Sequence, residues 1–445
     1  MFRLIFFLLC ILSYISAEPF RLSGVFKTGD EFVGSPAVGD AGMIYFGTDQ
    51  KFYAVDSKKI SFEDSKPLWT YDLAVDQNFI QNPIVDDDGI VYVGSKGGVL
   101  YAFNPKTIDS SNPCPSWTYK VGTASCRPLI IDKQKLLYVE SIDGYLKVID
   151  LKTADKQKVE PIWSYKSILC VPPPVIDPLG RVYILTVMGD LLVFDPQKMD
   201  TKDPYPIPKA KVPVIPCAPI LDSQSNLYIG TNDGRLFIFD SDELIHANHF
   251  EVKPHIIYIT DKDIQFSFAF MRNDKEMYFG SQNGMLQAID IKKYIEKSAY
   301  KKYREEELYY SIDTDCELFS QAKKIDRKYP QPIWSYNMDR YVYFPVFNAA
   351  RIEKNGLIYI GTGNRLYIFD PKNIDKNNPE PLWSYEAKDT CFFIPQVDDK
   401  GNIYVGSSDG TLYVFETVKQ SKVSIFLTQL KNLGLSLTRT TKPSQ

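Results

Sequence analysis

The residues of this chain best equipped for covalent, redox or metal chemistry are its cysteines and histidines, and both are sparse. The three histidines, His246, His249 and His255, fall together in DSDELIHANHFEVKPH. Glu243, His246 and His249 recur at intervals of three, so one helical turn would bring them to a common face as zinc ligands. The plainer reading, an exposed polar loop with no metal, is preferred. Of seven cysteines, Cys10 sits in the N-terminal apolar run, which leaves Cys114, Cys126, Cys170, Cys217, Cys316 and Cys391. Four of these recur in like surroundings: SCRP at Cys126, LCVPPP at Cys170, PCAP at Cys217 and TCFFIP at Cys391. No two cysteines are adjacent in the chain.

The N-terminus supplies the redox context. It reads MFRLIFFLLCILSYISAEPF: Arg3, an apolar stretch from Leu4 to Ile15, then the small residues Ser16 and Ala17. That stretch is too short to span a bilayer comfortably and is closed by small residues, so residues 1–17 read as a signal peptide cleaved near Ala17. A mature protein of the secretory pathway, extracellular or lumenal, is expected to begin near Glu18, where disulfides can persist. No Asn-x-Ser/Thr triplet occurs, so no N-linked glycan is expected. The 51 Lys and Arg against 55 Asp and Glu leave a net charge of -4, which draws no nucleic acid.

What must position these residues is a repeat. Eight segments align, from SPAVGDAGMIYFGTDQKFYAVD at Ser35 and NPIVDDDGIVYVGSKGGVLYAFN at Asn82 through to IPQVDDKGNIYVGSSDGTLYVFE at Ile394. Each carries one Tyr at the same place: Tyr45, Tyr92, Tyr138, Tyr183, Tyr228, Tyr278, Tyr359 and Tyr404. The steps are 47, 46, 45, 45, 50, 81 and 45 residues, so a single insertion is expected, at 292–331 between blades six and seven. Alternating strands flank turns such as Asp143-Gly144 and Asp409-Gly410, which supply the positive φ a tight hairpin needs.

A fourth strand between units is marked by an aromatic dyad around Trp69, Trp117, Trp163, Trp334 and Trp383. These are all five tryptophans of the chain, so they are assigned to packing between blades. The aromatic is missing at Lys209 to Pro213, before blade five, and Tyr258 takes its place before blade six. Those two junctions are expected to be the loosest. Four strands per unit at a period near 46 predict an all-β, eight-bladed propeller of four-stranded antiparallel blades over residues 18–416. The segment Gly24 to Thr28, with Phe26 at the Trp position, is expected to complete the blade ending near Glu416 and so close the ring.

The Trp strand, Pro-led strand, Tyr-x-Gly, Asp-Gly turn and Leu-Tyr-x-Phe-Asp together resemble the PQQ-like repeat family of quinoprotein dehydrogenase and BamB-like propellers. The likeness covers residues 24 to 416 and implies fold more than function. The family's usual Thr-Gly after the Asp is replaced by Asn104-Pro105, Asp195-Pro196 and Asp370-Pro371, which can cap short helical turns. Quinone-dependent members carry two adjacent cysteines under the cofactor and calcium ligands in the channel. This chain has no such cysteine pair, so the resemblance implies a non-enzymatic member, with no catalytic residue, cofactor or metal expected. A quinoprotein dehydrogenase and a lumenal ligand sensor are the alternatives.

In a propeller the first strand of each blade lines the axis, so Cys126, Cys170, Cys217 and Cys391 are expected around one mouth of the channel. Bridges from Cys126 to Cys170 or from Cys170 to Cys217 compete there with reduced, space-filling thiols. The expected function is a scaffold that binds a protein or peptide on one face. Its candidate surfaces are this mouth, with Arg127, Phe392 and Phe393, and the insertion, where charge of both signs is interleaved with Tyr. The tail, residues 417–445, carries five basic residues and no acid. There Val423, Phe426, Leu427, Leu430 and Leu437 share a helical face, which offers docking on the propeller or the only foreseeable membrane contact.

Overall fold

The computed structural model describes residues 18–32, 34–73, 82–124, 126–154, 159–166, 174–186, 189–195, 200, 204, 206–212, 218–231, 235–240, 243–244, 252, 255–259, 266–281, 284–291, 332–338, 350–388 and 390–418. Eight antiparallel sheets of four strands each make up the fold. Blade 1 runs from an inner strand Ala37–Val38 to an outer strand Trp69–Asp72. The corresponding limits are Ile84–Val85 and Trp117–Lys120 in blade 2, Cys126–Ile131 and Pro161–Lys166 in blade 3, and Val175–Ile176 and Ile207–Lys211 in blade 4. Blade 5 spans Ile220–Leu221 to His255–Ile259, blade 6 Phe266–Arg272 to Trp334–Asn337, and blade 7 Ala350–Ile352 to Trp383–Glu386. Blade 8 is built from Gln396–Val397, Ile403–Gly406, Thr411–Thr417 and, outermost, Phe20–Lys27.

One such sheet cannot bury both of its faces, and the neighbouring blade supplies the cover. Each junction between neighbours holds its own apolar cluster among the described residues. Trp69, for example, packs with Tyr45 and Ala54 of its own blade against Val91, Val93 and Phe103 of blade 2. The cluster of Phe26, Phe32, Phe46, Tyr53, Val55 and Tyr404 joins blade 8 to blade 1, so the row of sheets closes on itself.

Two sequence expectations are corrected by the strand pairing. The Trp strand is the outer strand of the blade whose three strands precede it: Trp334 pairs with Ala288. Residues 292–331 therefore interrupt blade 6 between its third and fourth strands instead of separating blades six and seven. The second correction concerns Phe26. Trp69 stands opposite Ala54 and Tyr71 opposite Phe52, whereas Phe26 stands opposite Leu412 and Gly24 opposite Val414. Phe26 thus holds the place of the dyad's Tyr, and the Trp place belongs to Gly24.

That glycine has a physical cause. The outer strand of blade 8 bulges between Leu22 and Gly24, and a Cβ on Gly24 would come within 2.9 Å of the Ile60 carbonyl oxygen. Ile60 belongs to a loop of blade 1 that crosses onto the closing strand: the Val25 N–H donates to Ser61 O at 3.3 Å and the Ser65 hydroxyl donates to Val25 O at 3.3 Å. The edge strand is thereby held on both sides.

Blades 4 and 5, which lack the Trp, still have complete outer strands. Ile207 takes the Trp place opposite Val193, and His255 takes it opposite Ile238, while Tyr258 stands opposite Leu236 at the dyad's Tyr place. Both strands slip register beside that position.

Candidate binding surface

Strand direction gives the ring two unlike faces. The upper face carries the turns between second and third strands and the links from each outer strand to the next inner strand. The lower face carries the turns between first and second strands and the loops between third and fourth.

Inner geometry is set by the repeated Tyr. In five blades its hydroxyl donates to an Asp six residues earlier: Tyr92 to Asp86 at 2.9 Å, Tyr138 to Asp132 at 3.5 Å, Tyr183 to Asp177 at 3.2 Å, Tyr228 to Asp222 at 3.1 Å and Tyr404 to Asp398 at 3.0 Å. The same carboxylates accept backbone N–H groups of their own turn, as Asp86 does from Asp88 and Ile90. Blade 6 reaches a similar end with Glu276 at 2.7 Å, and blade 7 reverses the polarity, the Asn355 amide donating to Tyr359. Burial is the first cause that holds these phenols protonated: Tyr45, Tyr359 and Tyr404 are pushed up to about 12.

On the upper face every repeat has Ser or Thr three residues after that Tyr. In blades 8 and 5 its oxygen serves the hairpin turn, Ser407 donating to Thr411 O at 2.9 Å and Thr231 to Arg235 O at 2.9 Å, while Ser141 of blade 3 donates to Ala124 O at 2.9 Å. Both signals, Asp at minus six in five repeats and Ser or Thr at plus three in all eight, are present in the sequence.

The inner strands place one residue opposite each Tyr. Six of the eight are apolar: Ala37, Ile84, Ile130, Val175, Ile220 and Phe270. The other two, Arg351 and Gln396, are neighbours in blades 7 and 8. The Arg351 Nη1 donates to Gln396 Oε1, and its Nε lies 2.7 Å from Glu353 Oε1. About half of the Arg351 side chain is exposed, at 49%, whereas Glu353 is largely covered. Burial pushes the Glu353 carboxyl up, and Arg351 and Lys354 oppose that shift. This sector is a polar break at a position that is otherwise apolar and packs, in blades 2 to 6, against the clusters between blades. A guanidinium held by two partners in fixed orientation is suited to a carboxylate or a peptide carbonyl.

Above it lies the link from blade 7 to blade 8. Cys391 is a half-buried free thiol whose N–H donates to Ser408 Oγ at 3.0 Å. Phe392 is 3% exposed and wedged against Tyr413 at 5.2 Å, so it belongs to the core and not to a contact surface. Phe393 is half-buried against the cluster that joins blades 8 and 1. Further along, the Ile394 N–H donates to Ser35 Oγ at 3.0 Å and the Ser35 N–H donates to Asn82 Oδ1 at 2.6 Å, a relay that ties blades 8, 1 and 2 at the mouth.

Cys126 and Arg127 open the inner strand of blade 3, where Arg127 pairs with Glu140; only their backbone is described. Cys170, Cys217, Cys316, His246, His249 and the insertion 292–331 lie outside the described residues. Cys114 is a free thiol exposed on the lower face. Trp69, Trp117, Trp163, Trp334 and Trp383 are each between 3% and 8% exposed, inside the clusters between blades.

The insertion is attached to the ring at its lower end. Ile291 and Ile333 flank the insertion, their N–H groups bonded to Lys275 O and Ala288 O at the lower end of blade 6. The cysteine-bearing links are on the upper side.

No family model matches this chain, and no curated protein matches it. Solved structures do. BamB from Moraxella catarrhalis aligns over 89% of this chain and 99% of its own, at 12% identity and a TM-score of 0.54. Saccharomyces cerevisiae Sqt1 aligns over 89% and 99%, at 10% identity and a TM-score of 0.58. The C-terminal WD40 domain of Sif2 aligns over 90% and 100%, at 12% identity and a TM-score of 0.60. At these identities the likeness is one of fold: the chain is a β-propeller.

Proposed function

We propose that this chain is a non-catalytic propeller of the secretory pathway, built on PQQ-like repeats, that binds a protein or peptide partner along its axis, at the inner strands of blades 7 and 8. The observation that carries this reading is the polar break at Arg351 and Gln396. At the equivalent place the inner strands of the other six blades carry apolar residues. Ring scaffolds commonly present such a rim to partners. The secretory assignment draws support from where the fold starts: Glu18 Oε2 accepts from Trp383 Nε1 at 3.1 Å, and Pro19 O accepts from Val418 N–H at 2.9 Å. Every described strand of the ring therefore lies after the expected cleavage at Ala17.

Expression in a secreting eukaryotic host, followed by N-terminal sequencing, is expected to return Glu18 as the first residue of the medium form. Chemical crosslinking of that form in medium and lumenal extracts should yield a protein adduct that Arg351→Glu abolishes and Leu382→Asp, beside the outer strand of blade 7, leaves intact. An adduct indifferent to Arg351→Glu removes the axial site from the reading.

A further inference from the structure

The junction between blades 2 and 3 departs from its neighbours by two lysines. At four other junctions the dyad's Tyr, or Phe26 in its place, meets an aromatic ring on the third strand of the next blade. Tyr71 lies 5.9 Å from Tyr101, Tyr336 6.0 Å from Tyr367, Tyr385 6.0 Å from Tyr413 and Phe26 5.9 Å from Tyr53. At the same register place blade 3 has Lys147, opposite Ser164 as Tyr53 is opposite Thr70. The Lys147 Nζ lies 5.1 Å from the centre of the Tyr119 ring of blade 2 and 5.7 Å from that of Tyr145, and it donates to the Tyr119 hydroxyl at 3.1 Å.

The second lysine stands at the upper end of the same side. There the third and outer strands are joined by Lys51 and Asp72 in blade 1 and by Arg365 and Glu386 in blade 7, and in both the charges pair, at 3.5 Å and 2.9 Å. Blade 3 has Tyr145 opposite Lys166, whose Nζ lies 5.3 Å from the centre of the Tyr145 ring. Among the described residues neither ammonium makes an ion pair. The nearby acids of blade 3 are committed elsewhere. The Asp143 carboxylate accepts from the Thr123 N–H at 2.6 Å and from its hydroxyl at 2.8 Å. Glu140 is buried opposite Leu146, on the side of the sheet toward blade 4. The turn above, closed by the pair of Ser141 and Tyr145, carries Ile142, which is 53% exposed.

A ring face and a neutral hydroxyl hold an ammonium in position without neutralising it, and each ammonium keeps donors for an anion. We propose that this junction is a second binding surface, separate from the axial one, for an acidic peptide segment: a partner carboxylate is shared by Lys147 and Lys166, and an apolar neighbour covers Ile142. A polyanion needs a broad basic field, whereas this chain carries -4 overall and offers charge only locally. An inorganic anion would leave Ile142 uncovered, and a peptide side chain buries it.

Fluorescence polarisation of a labelled peptide of alternating glutamate and leucine, titrated with the full chain, tests this. Saturable binding is expected, weakened roughly tenfold by Lys147→Met/Lys166→Gln and progressively by added salt, and unchanged by Arg351→Glu. Lys166→Glu alone, at an exposed position, should weaken binding comparably and serves should the double variant unfold. Absence of binding to the wild-type protein, equal binding to Lys166→Glu, or loss of binding in Arg351→Glu overturns the proposal. Labelled heparin held by the same lysines in place of the peptide also overturns it and would reassign the junction to a sulfated polysaccharide.

Discussion

Blades 1, 2, 3, 6 and 7 carry a Trp on the outer strand, and blades 4, 5 and 8 do not; they solve one packing problem by different means. Where Trp69, Trp117, Trp334 and Trp383 stand, the outer strand pairs through the dyad without a slip. Blade 3 slips beside its Trp, between Trp163 and Pro161, at the same place where blade 8 slips between Gly24 and Leu22. In blades 4, 5 and 8 the outer strand slips beside the Trp place, which Ile207, His255 and Gly24 occupy. The bulky indole fills the gap to the next blade, and a slip between the two dyad places occurs only in blades 4 and 5, which lack it. Without it, the filling comes from elsewhere, as Ile60 of blade 1 shows in blade 8.

Breaking the Trp side of the comparison should have the largest effect. Trp69→Ala is expected to cost about 3–5 kcal/mol, the usual loss for a buried Trp, read from urea unfolding followed by circular dichroism. A loss below about 1 kcal/mol would show that the indole is replaceable, as it is in blade 8. Both kinds of blade share the Tyr lock, so Tyr92→Phe and Tyr404→Phe should each cost about 1.5–3 kcal/mol, the range for a hydrogen bond to a charged group. Unequal costs would mean that the inner halves also differ.

The same phenols set an alkaline limit. With Tyr45, Tyr359 and Tyr404 raised to about 12 from the ordinary 10, the folded state keeps protons that the unfolded chain releases. Their contribution to stability is whole below pH 10 and is lost as pH rises toward 12. Ultraviolet difference absorbance should show these phenols ionising together with unfolding; ionisation near pH 10 in a folded chain would contradict it.

Gly24→Val sharpens the other side. Its Cβ would press on the Ile60 carbonyl, so a cost of about 1–3 kcal/mol is expected, with faster amide exchange at Val25 as the local readout. The smallest effect is at Arg21 and Glu416, a pair 3.4 Å apart whose side chains are 72% and 53% exposed. Arg21→Ala should change stability by no more than about 0.5 kcal/mol, although it lies in the same closing strand. A larger loss would make that ion pair, and not Gly24 and Ile60, the latch of blade 8.

How far the sequence reaches follows from this. The period, the count of eight and the hairpins are local facts, because alternation and positive-φ turn residues act over a few positions and repeat. The Tyr locks were equally local, as Asp86 and Tyr92 show six residues apart, but an acid in a turn also reads as solvated, and only burial of the phenol distinguishes the two. Phe392 illustrates the reverse error: beside a cysteine and next to Phe393 it reads as a rim aromatic, yet the turn sends it inward against Tyr385 and Tyr413.

By itself the sequence determined that small twisted sheets recur eight times and that the first strand must join the last, since one-sided burial is written into each repeat. Tertiary structure alone decided which blade owns each Trp strand, that Gly24 and not Phe26 sits at the Trp place, and that the insertion leaves the ring between the third and fourth strands of blade 6. Those matters depend on pairing register and strand direction, which are settled between segments distant in the chain, so that one bulged residue or one reversal of direction changes the answer without altering any local pattern.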